Sequence, residues 1–261
     1  MLQIAAPAAA QQPLAVYTNG ANGSTKDWDV RLGLGAQIQP EYEGGDEMKG
    51  MPLPLISIKY RDIAWLRGPM LGLNAFTWQG PRETDKLQLG PAIRYQRGRD
   101  QDDSDDLRGT GNIDPGLEAG FFITYGIGQW SAGLMMFQDV SSSHDGFTVR
   151  PAVGHTAQLG PKWQLRSELY STYASDDYME TFFGITAQQS ARSGMRRYQA
   201  EAGFKDVGLL FDLDYALSKN WALTTRVGLK KMLGDAADSP LVKDRGDDKQ
   251  GLLGLFVSYK F

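Results

Sequence analysis

The sequence predicts an all-β fold: a transmembrane antiparallel β-barrel of twelve strands, with ten to fourteen as the range. Short periplasmic turns and long extracellular loops join the strands. Three observations predict it. Apolar residues recur at every second position over runs of ~9 to 12 residues. That is the length of a tilted membrane-spanning strand and exceeds the ~5 to 6 usual in soluble sheets. Tight turn signals alternate with long polar connections. Amphipathic aromatics gather at the ends of the runs, where a headgroup girdle lies. Composition alone says less. A chain of 261 residues with 41% hydrophobic content and a mean hydropathy of -0.38 suits a soluble protein equally well. Glycine, 31 of 261, stands above the usual ~7% and favours an all-β reading. No window reaches the ~18 apolar residues of a membrane helix. The absence of cysteine excludes a disulfide framework, a CxxC zinc site and a thiol nucleophile. A net charge of -4 argues against a nucleic-acid partner.

Residues 1–27 read as a residual export signal and a flexible lead-in. Ala8-Ala9-Ala10 before Gln11 resembles a signal-peptidase site, which takes small residues at two positions before the cut. Residues 28–261 read as one barrel domain. Val30, Leu32, Leu34, Ala36 and Ile38 alternate with Arg31, Gly33, Gly35, Gln37 and Gln39. The same rule recurs at Leu87 to Tyr95, Leu117 to Tyr125, Phe147 to Val153 and Trp163 to Tyr173. It returns at Val207 to Leu217, Trp221 to Leu229 and Leu253 to Phe261. Such alternation marks strands with one apolar and one polar face. A short helix is admitted only around Ala187 to Arg197. Residues 52–78, with Pro52, Pro54 and Pro69, divide into two strands or three. The even strand number of bacterial barrels favours three.

Trp28, Tyr60, Trp65, Trp78, Tyr95, Tyr125, Trp130, Trp163, Tyr173, Tyr215, Trp221 and Tyr259 sit near strand ends and suit the girdles. The chain closes on Tyr259 and Phe261, an alternating aromatic end that resembles the signal presented to barrel-assembly machinery. Counting back from a periplasmic Phe261 places Ser218 to Asn220, Leu159 to Lys162 and Gly126 to Gln129 on the periplasmic side. Residues 98–112, 139–146, 174–197 and 233–250 then lie outside the cell.

The polar parity lines the lumen. It carries Arg31, Arg94, Arg150, Arg166, Arg226 and Lys230 against Glu118, Glu168, Asp212 and Asp214. Charge inside a barrel is either a wetted pore lining or a paired network, and the sequence leaves both open. Other signals are weaker. His144, in a serine-rich loop beside Asp145, reads as a solvated loop residue and not as part of a catalytic Ser-His pair. His155 reads as a girdle residue. Asp100, Asp102, Asp103, Asp105 and Asp106 read as a solvated, self-repelling loop, lacking the spacing of an EF-hand. Arg245-Gly246-Asp247 is a chance-level adhesion tripeptide. Gly33 and Gly35 precede no helix and fit small interior positions. No enzyme chemistry, metal or cofactor is expected.

The loops also carry a family pattern. Pro40-Glu41-Tyr42-Glu43-Gly44 follows the first strand; Phe182-Phe183-Gly184-Ile185-Thr186 precedes Ser190-Ala191-Arg192-Ser193-Gly194. Asp238-Ser239-Pro240-Leu241-Val242 precedes the last strand, which ends Tyr259-Lys260-Phe261. In this order, from about residue 28 to 261, the chain resembles the MipA/OmpV family of outer-membrane proteins. The resemblance implies an outer-membrane barrel in contact with lipid and lipopolysaccharide. It also implies a scaffold that holds a lytic transglycosylase (MltA) and a bifunctional penicillin-binding protein together. Porin-like and adhesin roles are the alternatives it implies. It transfers no catalytic residues.

Overall fold

A computed structural model describes residues 27–261 apart from residue 83; the export-signal reading of the N-terminus falls outside the described residues, except at Asp27. The strands are β1 (Trp28–Pro40), β2 (Met48–Tyr60), β3 (Ala64–Arg67), β4 (Met70–Leu73), β5 (Phe76–Gln79) and β6 (Lys86–Gln96). They continue as β7 (Gly116–Ile127), β8 (Trp130–Asp139), β9 (Phe147–Gly160), β10 (Trp163–Ala174), β11 (Gly203–Ala216), β12 (Trp221–Met232) and β13 (Lys249–Lys260). β4 and β5 both pair with β6, and between Gly72↔Ala92 and Phe76↔Leu89 three residues (73–75) stand opposite two (90–91). They are two arms of one strand broken by a bulge, so the described residues form twelve antiparallel strands. β1 pairs with β13, and β4 with β6, which closes the ring. The even count and the division of residues 52–78 agree with the sequence reading.

Alternation decides which side each residue takes. On β1, Leu32, Leu34 and Ile38 face outward and are exposed, while Gln37 and Gln39 between them are buried. The outward apolar belt continues around the ring, through Phe121, Leu169, Leu209 and Leu255 among others. So broad an apolar surface is stable only against lipid. The small inward residues of β1 have a steric cause. A Cβ on Gly35 would lie 2.2 Å from the Leu255 carbonyl oxygen, and one on Gly33 would lie 2.5 Å from that of Val257.

Five short connections sit at one end: residues 61–63, 80–85, 128–129, 161–162 and 217–220. Aromatic pairs ring this periplasmic end: Trp28 with Tyr60 at 4.6 Å, Trp163 with Tyr215 at 4.5 Å, and Trp221 with Tyr259 at 5.0 Å. His155 stacks on Trp130 at 4.5 Å in the same band. Trp65 departs from the girdle expectation. It points into the barrel, 5% exposed, with its ring 5.2 Å from that of Phe122. The outer face of its hairpin goes instead to Leu71 and Leu73.

The long connections at the other end fold inward. They carry α1 (Asp176–Phe183), α2 (Ala187–Ser193), α3 (Gly234–Asp238) and α4 (Pro240–Lys243). Only α2 falls where a helix was admitted; Thr186 and Gln189 cap it reciprocally, and Gly194 ends it at φ 76°. Tyr178, Met179, Phe182 and Phe183 of α1 pack with Met232, Ala236 and Val242. Tyr42, Leu107, Ile185, Met195 and Leu241 form a second buried cluster. These loops therefore have a core of their own above the mouth of the barrel. The acidic segment shares it. Asp100, Asp102 and Asp105 stay exposed, as a solvated loop requires, but the backbone makes two short 3-10 turns, capped by Asp100 and Ser104, that bury Leu107 completely.

One stretch of wall is low. β3 and β4 have four residues each. β3 pairs only with Ser57–Tyr60, so Met48–Leu55 of β2 pair with β1 alone. The ladder therefore has a gap above the β3–β4 hairpin, between upper β2 and the segment that leaves β6.

Candidate functional site: the lumen and its cap

The inward side chains separate into two halves. On β3 to β10, Trp65, Met70, Ala92, Phe122, Met135, Phe137, Ala152 and Tyr170 form one apolar cluster inside the ring. On β9 to β12, joined by Arg94 of β6 and Glu118 of β7, the filling is charged. Asp212 is bonded by Arg226 at 2.7 and 2.8 Å and by Arg166 at 3.2 Å, and Arg166 lies 2.9 Å from Asp214. Register explains the ladder: Arg166, Asp212 and Arg226 stand directly opposite one another on β10, β11 and β12. Arg150 meets Glu168 at 2.6 Å and lies over the Tyr170 ring at 4.0 Å. Arg94 pairs with Glu118 and lies over Phe137 at 4.4 Å. Near the periplasmic end, Lys260 bonds Asp29 at 2.8 Å. Arg31 is half-buried on β1, level with Ser57 and Lys260. Buried charges persist only when paired and hydrogen-bonded, as the buried ones on β6, β7 and β9 to β12 are.

The upper end gathers residues that the sequence reading did not single out. Glu43, in the β1–β2 connection, accepts from Lys205 at 2.6 Å and from Lys230 at 2.7 Å. Although its burial raises the carboxyl pKa, the two ammonium charges hold it well below the usual carboxylate range. Lys205 also bonds Asp206 at 2.8 Å. Both face inward although adjacent in sequence. The register between β10 and β11 slips at Thr172/Tyr173, and a bulge of this kind turns two successive residues to one face. The signal in the sequence is a doublet of charges, Lys205-Asp206, between Phe204 and Val207, where strict alternation allows only one.

His144 is a correction to the solvated-loop reading. It is 3% exposed, and its Nε2 lies 3.3 Å from Glu118 Oε1. Its Nδ1 accepts the Gly146 N–H at 3.2 Å, and its ring meets Tyr178 edge-on at 5.1 Å. Asp139 draws the loop inward, accepting from the Ser141, His144 and Asp145 N–H groups. The Arg245-Gly246-Asp247 tripeptide is tied down as well: Arg245 donates to the Asp106 and Ser193 carbonyls at 2.8 and 2.5 Å.

Below this cap lies a cavity of about 270 Å³. It borders both halves of the lumen: Met70, Met135 and Tyr170 on one side, Glu43, Lys205 and Lys230 on the other. Arg99 lines it from the residue 97–115 loop and donates to the Phe182 carbonyl at 2.6 Å. Burial pushes the Arg99 guanidinium down to about 10, which leaves it charged at neutral pH. At the opposite end, Phe261 is exposed, donates its N–H to Val30 and lies 4.8 Å from the Tyr259 ring.

The family model described as MltA-interacting protein MipA matches residues 32–261. The MltA-interacting protein of Escherichia coli (strain K12) is 25% identical over 80% of this chain and 81% of its own. Outer membrane protein OmpV of Vibrio cholerae is 24% identical over 66% of this chain, and the match spans 63% of that protein. Among solved structures, an outer membrane channel from Pseudomonas putida F1 has a TM-score of 0.45 at 12% identity, covering 90% of this chain and 96% of that one. OmpT of Vibrio cholerae has a TM-score of 0.42 at 7% identity, covering 90% and 97%.

Proposed function

The chain belongs to the MltA-interacting protein (MipA) family, and from that premise we propose that this outer-membrane barrel is a non-enzymatic scaffold. It would hold a murein-cleaving lytic transglycosylase and a murein-synthesising penicillin-binding protein together at the cell envelope. The family match over residues 32–261 is the observation that carries the reading. Two structural features support it. The lumen is occupied by paired charges and an apolar cluster, as suits a barrel whose work is done at its rim. The periplasmic rim is short and ordered, with Arg61 on Asp27 at 2.9 Å and Lys59 and Lys86 both 2.7 Å from Asp62. Short turns fixed in this way present a stable face to periplasmic partners. Assembly through the barrel-assembly machinery, with Tyr259 and Phe261 as its signal, belongs to the same proposal.

The test is a pull-down from detergent extract against a lytic transglycosylase and a bifunctional penicillin-binding protein. Enrichment of both over an unrelated barrel is expected, and none would sink the scaffold reading. A porin-like role rests on the lumen-lining set Arg31, Arg94, Glu118, Arg150, Arg166, Glu168, Asp212, Asp214, Arg226 and Lys230. Planar-bilayer recording separates the two: the scaffold reading expects a silent barrel, and discrete ion-selective steps would favour the pore.

A further inference from the structure

The gap above the β3–β4 hairpin is a finished edge. Along an antiparallel strand, the N–H and C=O of one residue point to the same side, and the side alternates. The Ile56 carbonyl takes the Gly68 N–H on the hairpin side, so Pro54, Pro52 and Gly50 face the gap. The two prolines leave no N–H there to capture another strand, which is how exposed edges are blunted. The inner face beside the gap is apolar, as it is in the neighbouring cluster of Trp65 and Met70. Met51, Leu53 and Leu55 stand opposite the inward Gln37, Gly35 and Gly33, and Leu53 is 4% exposed. Pro69 and Met70, at the top of the hairpin, form the floor of the gap and also line the cavity. Lys49 reaches across the top to Asp103 at 3.8 Å.

Behind this opening, Arg99 differs from its neighbours. Arg94, Arg150, Lys205 and Lys230 each hold a carboxylate. Arg99 is 8% exposed, and among the described residues no carboxylate lies within salt-bridge distance of it; Glu43 acts on it only at longer range. Its Nε has no hydrogen-bond partner. A buried cation without a directly bonded counter-ion is costly, and an anion in the cavity would offset that cost.

We propose that the cavity binds the anionic headgroup of a single-chain amphiphile, an alkyl phosphate or carboxylate of the outer leaflet. Arg99 is its counter-ion, and the alkyl chain leaves through the gap over Leu53 and Met70. Size supports the division. A cavity of about 270 Å³ is near the ~300 Å³ lower end of small-molecule sites. It takes a headgroup and the first carbons, and a longer chain needs an exit. Pro69 and Met70 join the cavity to the exit, Leu53 lies beside it on β2, and the exit is in the wall that faces lipid.

The test uses the full chain refolded in maltoside micelles, with inorganic phosphate, butyl phosphate and dodecyl phosphate as probes. Native mass spectrometry gives stoichiometry, and the ligand dependence of the melting temperature gives affinity. One dodecyl phosphate per barrel is expected, bound at least tenfold more tightly than inorganic phosphate. Arg99→Gln should bind it at least tenfold more weakly, and Arg99→Lys should retain most of the affinity. Leu53→Asp should weaken dodecyl phosphate and leave inorganic phosphate unchanged. The chain-length series on the unaltered protein stands even if Arg99→Gln fails to fold. Equal affinity for inorganic and dodecyl phosphate would overturn the exit through the gap. Unchanged binding in both Arg99 variants would overturn the headgroup site, and no binding of any probe would overturn both.

Discussion

Replacing Asp212 with asparagine tests whether the charged half of the lumen stabilises the barrel. Asp212 is 1% exposed and joins three strands, accepting from Arg226 at 2.7 and 2.8 Å and from Arg166 at 3.2 Å. Asn keeps the shape and removes the charge. Arg166 retains Asp214 at 2.9 Å, so the loss falls mainly on Arg226, whose side chain is only 4% exposed. Removing one partner of a buried pair costs about 3 to 5 kcal/mol. The surviving Arg166–Asp214 contact argues for the lower end, about 3 kcal/mol, or about 150-fold in the folded-to-unfolded ratio. Urea unfolding in lipid vesicles, followed by tryptophan fluorescence, measures it. The double variant Asp212→Asn/Arg226→Met should recover much of the loss, because apolar replacement of a whole buried pair is often neutral. A change within about 0.5 kcal/mol for Asp212→Asn alone would refute the claim that this pair is tightly coupled and dry.

Three further outcomes are expected. Gly35→Val should prevent closure of β1 on β13, since its Cβ would meet the Leu255 carbonyl at 2.2 Å; the variant should lose the heat-modifiable, SDS-resistant band, and its retention would contradict the registered approach. Glu43 has a lowered folded-state pKa, so the stabilisation it gives is fully present above its unfolded value of about 4.3 and is lost as pH falls through the lowered one. The stability gap between the unaltered protein and Glu43→Gln should therefore be constant from pH 7 to 5 and shrink in stronger acid; a gap that grows in acid would reverse the sign. Phe261→Ala should slow assembly in cells while costing the refolded barrel less than about 1 kcal/mol, because the side chain is 56% exposed; normal accumulation in the outer membrane would remove it as an assembly signal.

Much of the wall was legible because a barrel strand repeats every two residues, and the repeat survives in the chain without any partner. Leu32 and Leu34 face outward, and Gln37 and Gln39 inward, as alternation requires. Arg166, Asp212 and Arg226 were assigned to the inner face by the same rule, but parity could not say that they meet. Alternation failed at Lys205-Asp206, where a bulge turns both inward. It also misled at Trp65, which reads as a rim aromatic and fills the lumen. His144 and Arg99 were beyond reach for another reason. Both lie in loops, where no period constrains direction, and their burial depends on α1 folding over them.

The sequence by itself determined the membrane-spanning barrel and the sides of its turns, because both follow from period, run length and connection length along a single strand; it left the strand count between ten and fourteen. Tertiary structure decided the rest. Which charges pair depends on register between strands more than forty residues apart, as with Arg166 and Asp212. The cap depends on apolar loop residues finding one another across the mouth. The gap beside β2 exists only because a hairpin of four-residue strands stands next to a thirteen-residue strand, a mismatch that has meaning only once the ring is closed.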